Sequence, residues 1–230
     1  MKNPIQKIYT EVPRTYEILN HTLTVGQDIL WRMRAAKTVA TEGGTLWLDM
    51  CSGTGEIAAS LSRKARDGTT VVAADFSLPM MQKAINKPES KQITFTLAEV
   101  THLPFRDNSF DAIVISFATR NINTSKTNLT KAFQEFHRIL KPGGIFVNLE
   151  TSQPRSSLIR RLFHLYVKLT VRPIGRLVSG SDIAYAYLSH TMRRFYGADE
   201  LAEIVLEAGF SEVSFRRMFL GIAAIHKARK

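Results

Sequence analysis

The stretch Leu46 to Ala59, L-W-L-D-M-C-S-G-T-G-E-I-A-A, decides the reading of this chain. Apolar Leu46, Trp47 and Leu48 run into a carboxylate, Asp49, and a tight turn holding Gly53 and Gly55 leads to a helical pattern that begins at Glu56. That pattern marks the first βα turn of an open α/β sheet, where glycines let the backbone come close to a ligand at a helix N-terminus. Pyrophosphate dinucleotides and amino-acid-bearing adenosyl compounds both use such a turn.

The residues around the turn discriminate between the two. Gly53-Thr54-Gly55-Glu56-Ile57-Ala58 formally fits G-x-G-x-x-[G/A], with Asp75 twenty residues beyond Gly55. Yet Asp49 and Glu56 flank the place where a pyrophosphate would sit, and like charge at a partly desolvated site is costly. A carboxylate suits the α-ammonium of S-adenosylmethionine, whose own carboxylate the helix N–H groups can take. The plainer reading is an ordinary glycine turn.

A chain of 230 residues, 44% hydrophobic and 22% charged, fits one α/β domain with a full core. One cysteine, Cys51, rules out internal disulfides and cysteine metal clusters, and reads as a packing residue of the turn. The six histidines show no metal-ligand spacing; His21 and His190 fall in segments expected to cover the site. No apolar run reaches bilayer length and no signal-peptide core is visible, so a cytoplasmic chain is expected.

The net charge of +11 calls for an anionic partner or surface. Residues 155–176 hold six basic side chains (Arg155, Arg160, Arg161, Lys168, Arg172, Arg176) and no acidic one, with Leu158, Leu162, Phe163, Leu165 and Leu169 between them. This spacing fits an interfacial helix or a substrate cover, or equally a helix packed on the sheet with solvated basic edges.

Strands are predicted at 45–50, 70–74, 93–97, 112–117 and 145–149, with helices at 56–66, 78–86, 128–140 and 199–208. A strand pair follows at 213–217 and 222–226. Lys141-Pro142-Gly143-Gly144 is read as the stop of the helix before the fifth strand. The fold class is therefore α/β: a Rossmann-like, mostly parallel sheet with an antiparallel C-terminal hairpin. Residues 1–44 form a helical cover, 45–150 a cofactor-binding core, 151–198 a helical insertion, and 199–230 the closing helix and strands of a single domain.

Asp75, ending the second strand, is placed to accept ribose hydroxyls, or else to cap the following helix. Glu99, after the third strand, is placed to accept from an adenine amino group, with the Val100 N–H beside it. Ser116 ends the fourth strand and faces the ligand crevice, and Arg120 and Asn121 follow. A fixed cation there lowers the pKa of a phenol or stabilises a developing phenolate; the plainer reading pairs Arg120 with a surface carboxylate.

These motifs resemble the class I S-adenosylmethionine-dependent methyltransferases, and within them the ubiquinone/menaquinone biosynthesis C-methyltransferases. The glycine turn, L-P-F and K-P-G-G are class-wide. Y-E-I-L-N (Tyr16 to Asn20), S-F-A-T-R-N (Ser116 to Asn121), L-E-T-S-Q-P (Leu149 to Pro154) and Y-A-Y-L (Tyr185 to Leu188) are more particular to the quinone enzymes. The resemblance implies a Rossmann-like methyltransferase sheet and S-adenosylmethionine as cofactor. Its contacts would be Asp49, Gly53, Thr54, Gly55, Asp75, Phe76, Met80, Glu99, Val100 and Ser116. It implies a polyprenyl quinol as acceptor, shaped by Tyr16, Asn20, Arg120 and Tyr185, with Arg120 and Asn121 as the catalytic pair and no metal.

The implied reaction is C-methylation of the ring: demethylmenaquinol to menaquinol, the 2-methoxy-6-polyprenyl-benzoquinol step of ubiquinone synthesis, or both. The ring hydroxyl ortho to the target carbon would lose its proton through water near Arg120, leaving a phenolate whose ring carbon accepts the methyl in line. Expected partners are the quinol, anionic membrane met peripherally at its inner face, and a second copy of the chain, but not nucleic acid. Departures from the family pattern are Cys51 or Ser52 where glycine is common, Glu99 where aspartate is usual, and Phe195-Tyr196 where Phe-Pro stands. The competing readings are a methyltransferase of another small molecule or of RNA, and an adenosyl-binding protein without activity. RNA enzymes usually carry an N-P-P-Y-like motif or a separate binding domain, and neither appears.

Overall fold

A computed structural model describes residues 16–179 and 182–230, without the side chains of 16, 176–179 and 182–184. Its centre is a seven-stranded sheet in the order β3-β2-β1-β4-β5-β7-β6. The strands are β1 (Leu46–Met50), β2 (Thr70–Asp75), β3 (Ile93–Leu97), β4 (Phe110–Ser116), β5 (Leu140–Thr151), β6 (Glu212–Met218) and β7 (Ala223–Arg229). β1 to β5 run parallel, and β7 pairs antiparallel with both β5 and β6. The expected parallel sheet with a closing antiparallel pair is therefore present. Strand order reverses between β1 and β4, which opens a crevice outside their carboxyl ends.

Helices cover both faces. On one side α2 (Gln27–Glu42) and α3 (Glu56–Ser62) bury Trp31, Ala35, Val39, Ile57 and Leu61 against the sheet. On the other, α6 (Lys126–Ile139) presents Leu129, Ala132, Phe133, Phe136 and Ile139, a helical stripe of buried positions, to Phe146 and Phe210. Each of those phenylalanines contributes about 2–3 kcal/mol by leaving water. Ser125 begins α6 by accepting the Asn128 N–H at 3.1 Å. The remaining helices of the core are α4 (Leu78–Ile85), the short α5 (Thr119–Ile122) and α9 (Ala198–Glu207).

A third cluster stands outside the sheet. Here α1 (Tyr16–Thr24), α7 (Ser157–Ser179) and α8 (Asp182–Arg194) enclose Leu19, Phe163, Val167, Val171 and Tyr185. Residues 155–176 pack on α1 and α8 rather than on the sheet, with the solvated basic edges that the plainer reading expected. Phe163, Val167 and Val171 form one buried stripe of α7, while Leu158, Leu162, Leu165 and Leu169 stay exposed, Leu162 at 58% and Leu169 at 61%. Arg160, Arg161, Lys168 and Arg172 are exposed among them. No helix among the described residues is long and apolar enough to cross a membrane.

Two boundaries differ from the predicted ones for physical reasons. Phe117, expected to end the fourth strand, takes a left-handed φ of 55° and turns the chain into α5. Lys141 to Gly144 do not separate helix from strand: β5 already pairs at Leu140 with Phe110, then shifts register so that Ile145 meets Ala112. The displaced residues are held by the C-terminus, with the Gly143 N–H donating to the Lys230 carbonyl at 3.1 Å.

Candidate active site

A cavity of about 280 Å³ opens outside the carboxyl ends of β1 to β4. Of the expected site residues, Gly53, Asp75, Phe76, Met80, Glu99, Val100, Ser116 and Asn121 line it. The glycine turn reaches that wall by backbone geometry that most side chains disfavour. Gly55 sits at φ 77°, and a Cβ there would come to 2.8 Å from Ala84 Cβ, so it lets α3 and α4 approach. Cys51 also takes a left-handed φ of 56°, a conformation that favours glycine. Burial and the carboxylates of Asp75 and Asp49 push its thiol well above the ordinary value, consistent with a packing role.

Asp75 does two things at once. Its Oδ1 accepts the Ser77 N–H at 2.7 Å, closing the turn ahead of α4, and its Oδ2 accepts the Gly53 N–H at 2.8 Å. Ser77, not Asp75, is the N-cap of α4, so the helix-cap reading does not hold; the carboxylate closes the turn before the helix and lines the cavity, and burial raises its pKa despite these donors. Ser116 Oγ is buried in the wall with no hydrogen-bond partner among the described residues. A buried hydroxyl without a partner costs stability, and a ligand that bonds it recovers that cost.

Asp49 departs from expectation. It does not line the cavity; its Oδ2 accepts the Ala58 N–H at 2.9 Å inside the first turn of α3. The strand alternation that turns Asp49 inward makes it a helix anchor. Burial, helped by the charges of Asp75 and Glu56 and opposed by the Ala58 N–H and Arg32, pushes its pKa up to about 8. Glu56 likewise points elsewhere: Lys87 pairs with it and, at 3.0 Å, with Glu17 of α1. Thr54 is buried and does not line the cavity. Burial pushes the Glu17 carboxyl up, but Thr54 and Lys87 outweigh it and hold it low. One lysine and one carboxylate therefore fasten the helical cover to the glycine turn.

At the acceptor end, Asn121 lines the cavity with Phe117, Ala118, Ile122, Thr124 and Asn128. Arg120 turns the other way, into the protein. Its guanidinium bonds Glu150 Oε1 at 2.6 Å and its backbone N–H lies 3.2 Å from Glu150 Oε2. A buried ion pair stands where the sequence pictured a free cation or a surface pair. Tyr185 packs in the outer cluster against Gly175 of α7. Its neighbour Tyr187, half-buried, feels Arg120: burial raises the phenol's pKa and the guanidinium lowers it. Asn20 lies half-buried on α1 and does not line the cavity, and the side chain of Tyr16 lies outside those described.

Sequence reasoning missed Glu150, Tyr187, Thr124 and Asn128. The first two stand inside motifs already quoted, L-E-T-S-Q-P and Y-A-Y-L, but only their contacts single them out. Phe117 carries a further unforeseen contact: the Arg32 guanidinium lies 5.2 Å above its ring.

The sheet order, the glycine turn at its reversal point and the carboxylate-lined cavity define a Rossmann-like nucleotide-binding fold of the methyltransferase kind. A methyltransferase of Thermotoga maritima, described as a possible histamine N-methyltransferase, shares the fold with a TM-score of 0.66 at 17% identity, over 95% of this chain and 98% of that one. The chain belongs to the ubiE/COQ5 methyltransferase family, whose model matches residues 1–230. A demethylmenaquinone methyltransferase of Clavibacter sepedonicus is 37% identical over 98% of this chain and 90% of its own length. One of Streptomyces avermitilis is 35% identical over 98% and 94%. The ubiquinone/menaquinone biosynthesis C-methyltransferase UbiE of Desulfotalea psychrophila is 31% identical over 96% and 88%.

Proposed function

We propose that this chain is an S-adenosylmethionine-dependent C-methyltransferase of quinone biosynthesis, acting on a polyprenyl quinol ring. The observation that carries the reading is the convergence of Asp75, Glu99 and Ser116 with Asn121 on one cavity, in a chain that matches the family from end to end. We read the whole chain as one catalytic unit, with 45–150 holding the cofactor and 151–198 facing the acceptor.

The residues present fit the cofactor. The Asp75 carboxylate keeps acceptor capacity beyond its two backbone donors and takes ribose hydroxyls. Glu99 and the Val100 N–H would hold the adenine, with Phe76 and Met80 in the same wall, and the Ser116 hydroxyl would gain the partner it lacks among the described residues. The cofactor supplies an electrophilic methyl when bound. Asn121 orients the quinol, while Arg120, its charge matched by Glu150, holds the turn that carries Asn121, and the ring hydroxyl's proton passes to water.

The exposed leucines of α7 and their basic neighbours support peripheral docking on anionic lipid, which brings a membrane-dissolved tail to the acceptor end. Vesicles with anionic lipid should retain the chain at low salt and release it at high salt, and Arg160→Glu with Arg161→Glu should abolish retention. Binding indifferent to both changes would refute the docking.

The function is tested with methyl-labelled S-adenosylmethionine and short-chain demethylmenaquinol or 2-methoxy-6-prenyl-benzoquinol, reading the product by mass. One methyl on a ring carbon is expected. Cofactor binding without transfer to either quinol would sink the reading, and transfer to RNA would favour its competitor.

A further inference from the structure

Glu150 occupies the end of β5 with 1% of its surface exposed and does not line the cavity, yet both its carboxylate oxygens are committed to Arg120. Oε1 also accepts the Thr151 N–H at 2.8 Å and the Thr151 hydroxyl at 3.0 Å. The carboxylate is thus held by its own strand while it holds the guanidinium and the backbone of another element.

That element needs holding. α5 spans only Thr119–Ile122 and follows the left-handed Phe117. Four residues cannot sustain a helix by their own hydrogen bonds, so tertiary contacts must orient them. β5 supplies two. Thr119 Oγ1 donates to Asn148 Oδ1, and Glu150, two residues on along the same face of the strand, takes the Arg120 N–H. The parallel register that sets Ser116 beside Leu149 puts both contacts in reach. The next residue after Arg120 is Asn121, in the cavity wall.

We infer that Glu150 is a positioning residue of the methyl transfer: it fixes the Arg120 guanidinium and, through the Arg120 N–H, the placement of Asn121 against the acceptor ring. The inference rests on the proposed acceptor-end roles of Arg120 and Asn121. A carboxylate that grips both the backbone and the side chain of one residue leaves neither the turn nor the charge free to drift, and small misplacements at a reacting centre cost large factors in rate.

The test uses the full chain with short-prenyl demethylmenaquinol, measuring kcat and KM alongside calorimetric S-adenosylmethionine affinity for E150Q, E150D, R120M and the double variant R120M/E150Q. The double variant removes both buried charges and so avoids an uncompensated ion. E150Q should lower kcat at least tenfold with cofactor affinity within twofold of wild type. E150D, which keeps the charge but withdraws it by one methylene, should lower kcat while KM and cofactor affinity stay within twofold of wild type, a split that loss of the fold would not give. E150Q should cost no further kcat in the R120M background. Wild-type kcat in E150Q and E150D, beside a loss in R120M, would overturn the positioning role alone, as would losses that multiply in the double variant. Wild-type kcat in R120M would overturn the acceptor-end reading of Arg120, and this inference with it.

Discussion

Asp75 accepts the Gly53 N–H at 2.8 Å, so the carboxylate that ends β2 also shapes the glycine turn after β1. The group proposed to bind ribose and the loop proposed to admit the amino-acid end are one mechanical unit. Asp75→Asn replaces one accepting carboxylate oxygen with an amide nitrogen that cannot accept, so one of the two tasks is lost. Its affinity for S-adenosylmethionine should fall at least tenfold, about 1.4 kcal/mol, in a calorimetric titration. An affinity within twofold of wild type would refute the assignment.

Ser116 offers a contrast, because its hydroxyl is buried without a partner among the described residues. Ser116→Ala removes a desolvated polar group, so the cofactor-free chain should gain about 1 kcal/mol, or about 2–4 °C in melting temperature. Cofactor affinity should fall severalfold as one hydrogen bond is lost. A gain in stability with affinity unchanged would show that no ligand atom meets Ser116.

The pH dependence of stability follows from Asp49. Its pKa of about 8 in the folded chain lies above the ordinary 3.8, so the folded state binds this proton more tightly than the unfolded state does. The stability it contributes is complete below about pH 4 and declines as pH rises through 8; burial pushes Asp75 the same way. Asp49→Asn keeps an acceptor for the Ala58 N–H and cannot ionise. The melting temperature of the variant, relative to wild type, should therefore rise between pH 5 and pH 8.5 in the cofactor-free protein. A gap that stays constant would mean that Asp49 ionises normally.

Gly175 tests the outer helices. A Cβ at this position would overlap the ring of Tyr185, so Gly175→Ala must push α7 and α8 apart or force the ring from its place. A cost of about 1–3 kcal/mol is expected. Amide exchange should quicken in α7 and α8 while β1 to β5 keep their protection. Unchanged exchange in both helices would show that Tyr185 does not pack there.

Much of the fold was legible because its signals are local. The apolar run before the glycine turn, the stripe from Leu129 to Ile139 and the closing strand pair each appear within one window of chain. Lys141 to Gly144 misled for the same reason: a Pro-Gly-Gly run reads as a stop, while its actual role depends on the distant Lys230 carbonyl. In the site, the sequence picked out Asp75, Glu99, Val100 and Ser116 because strand ends in such sheets face the crevice.

By itself the sequence determined the order of elements, the turn at Gly53 to Gly55 and which strand ends face the cavity. Those follow from periodicity and backbone preference within a few residues. Tertiary structure alone decided what the charged side chains do. Asp49 anchors α3, Lys87 ties Glu17 to Glu56, and Arg120 is gripped by Glu150 thirty positions away. It also decided that Tyr185 packs on Gly175 while Tyr187, two residues on, feels Arg120. A charge takes its role from whichever partner strand order and helix rotation bring within 3 Å, and no window of sequence contains that distance.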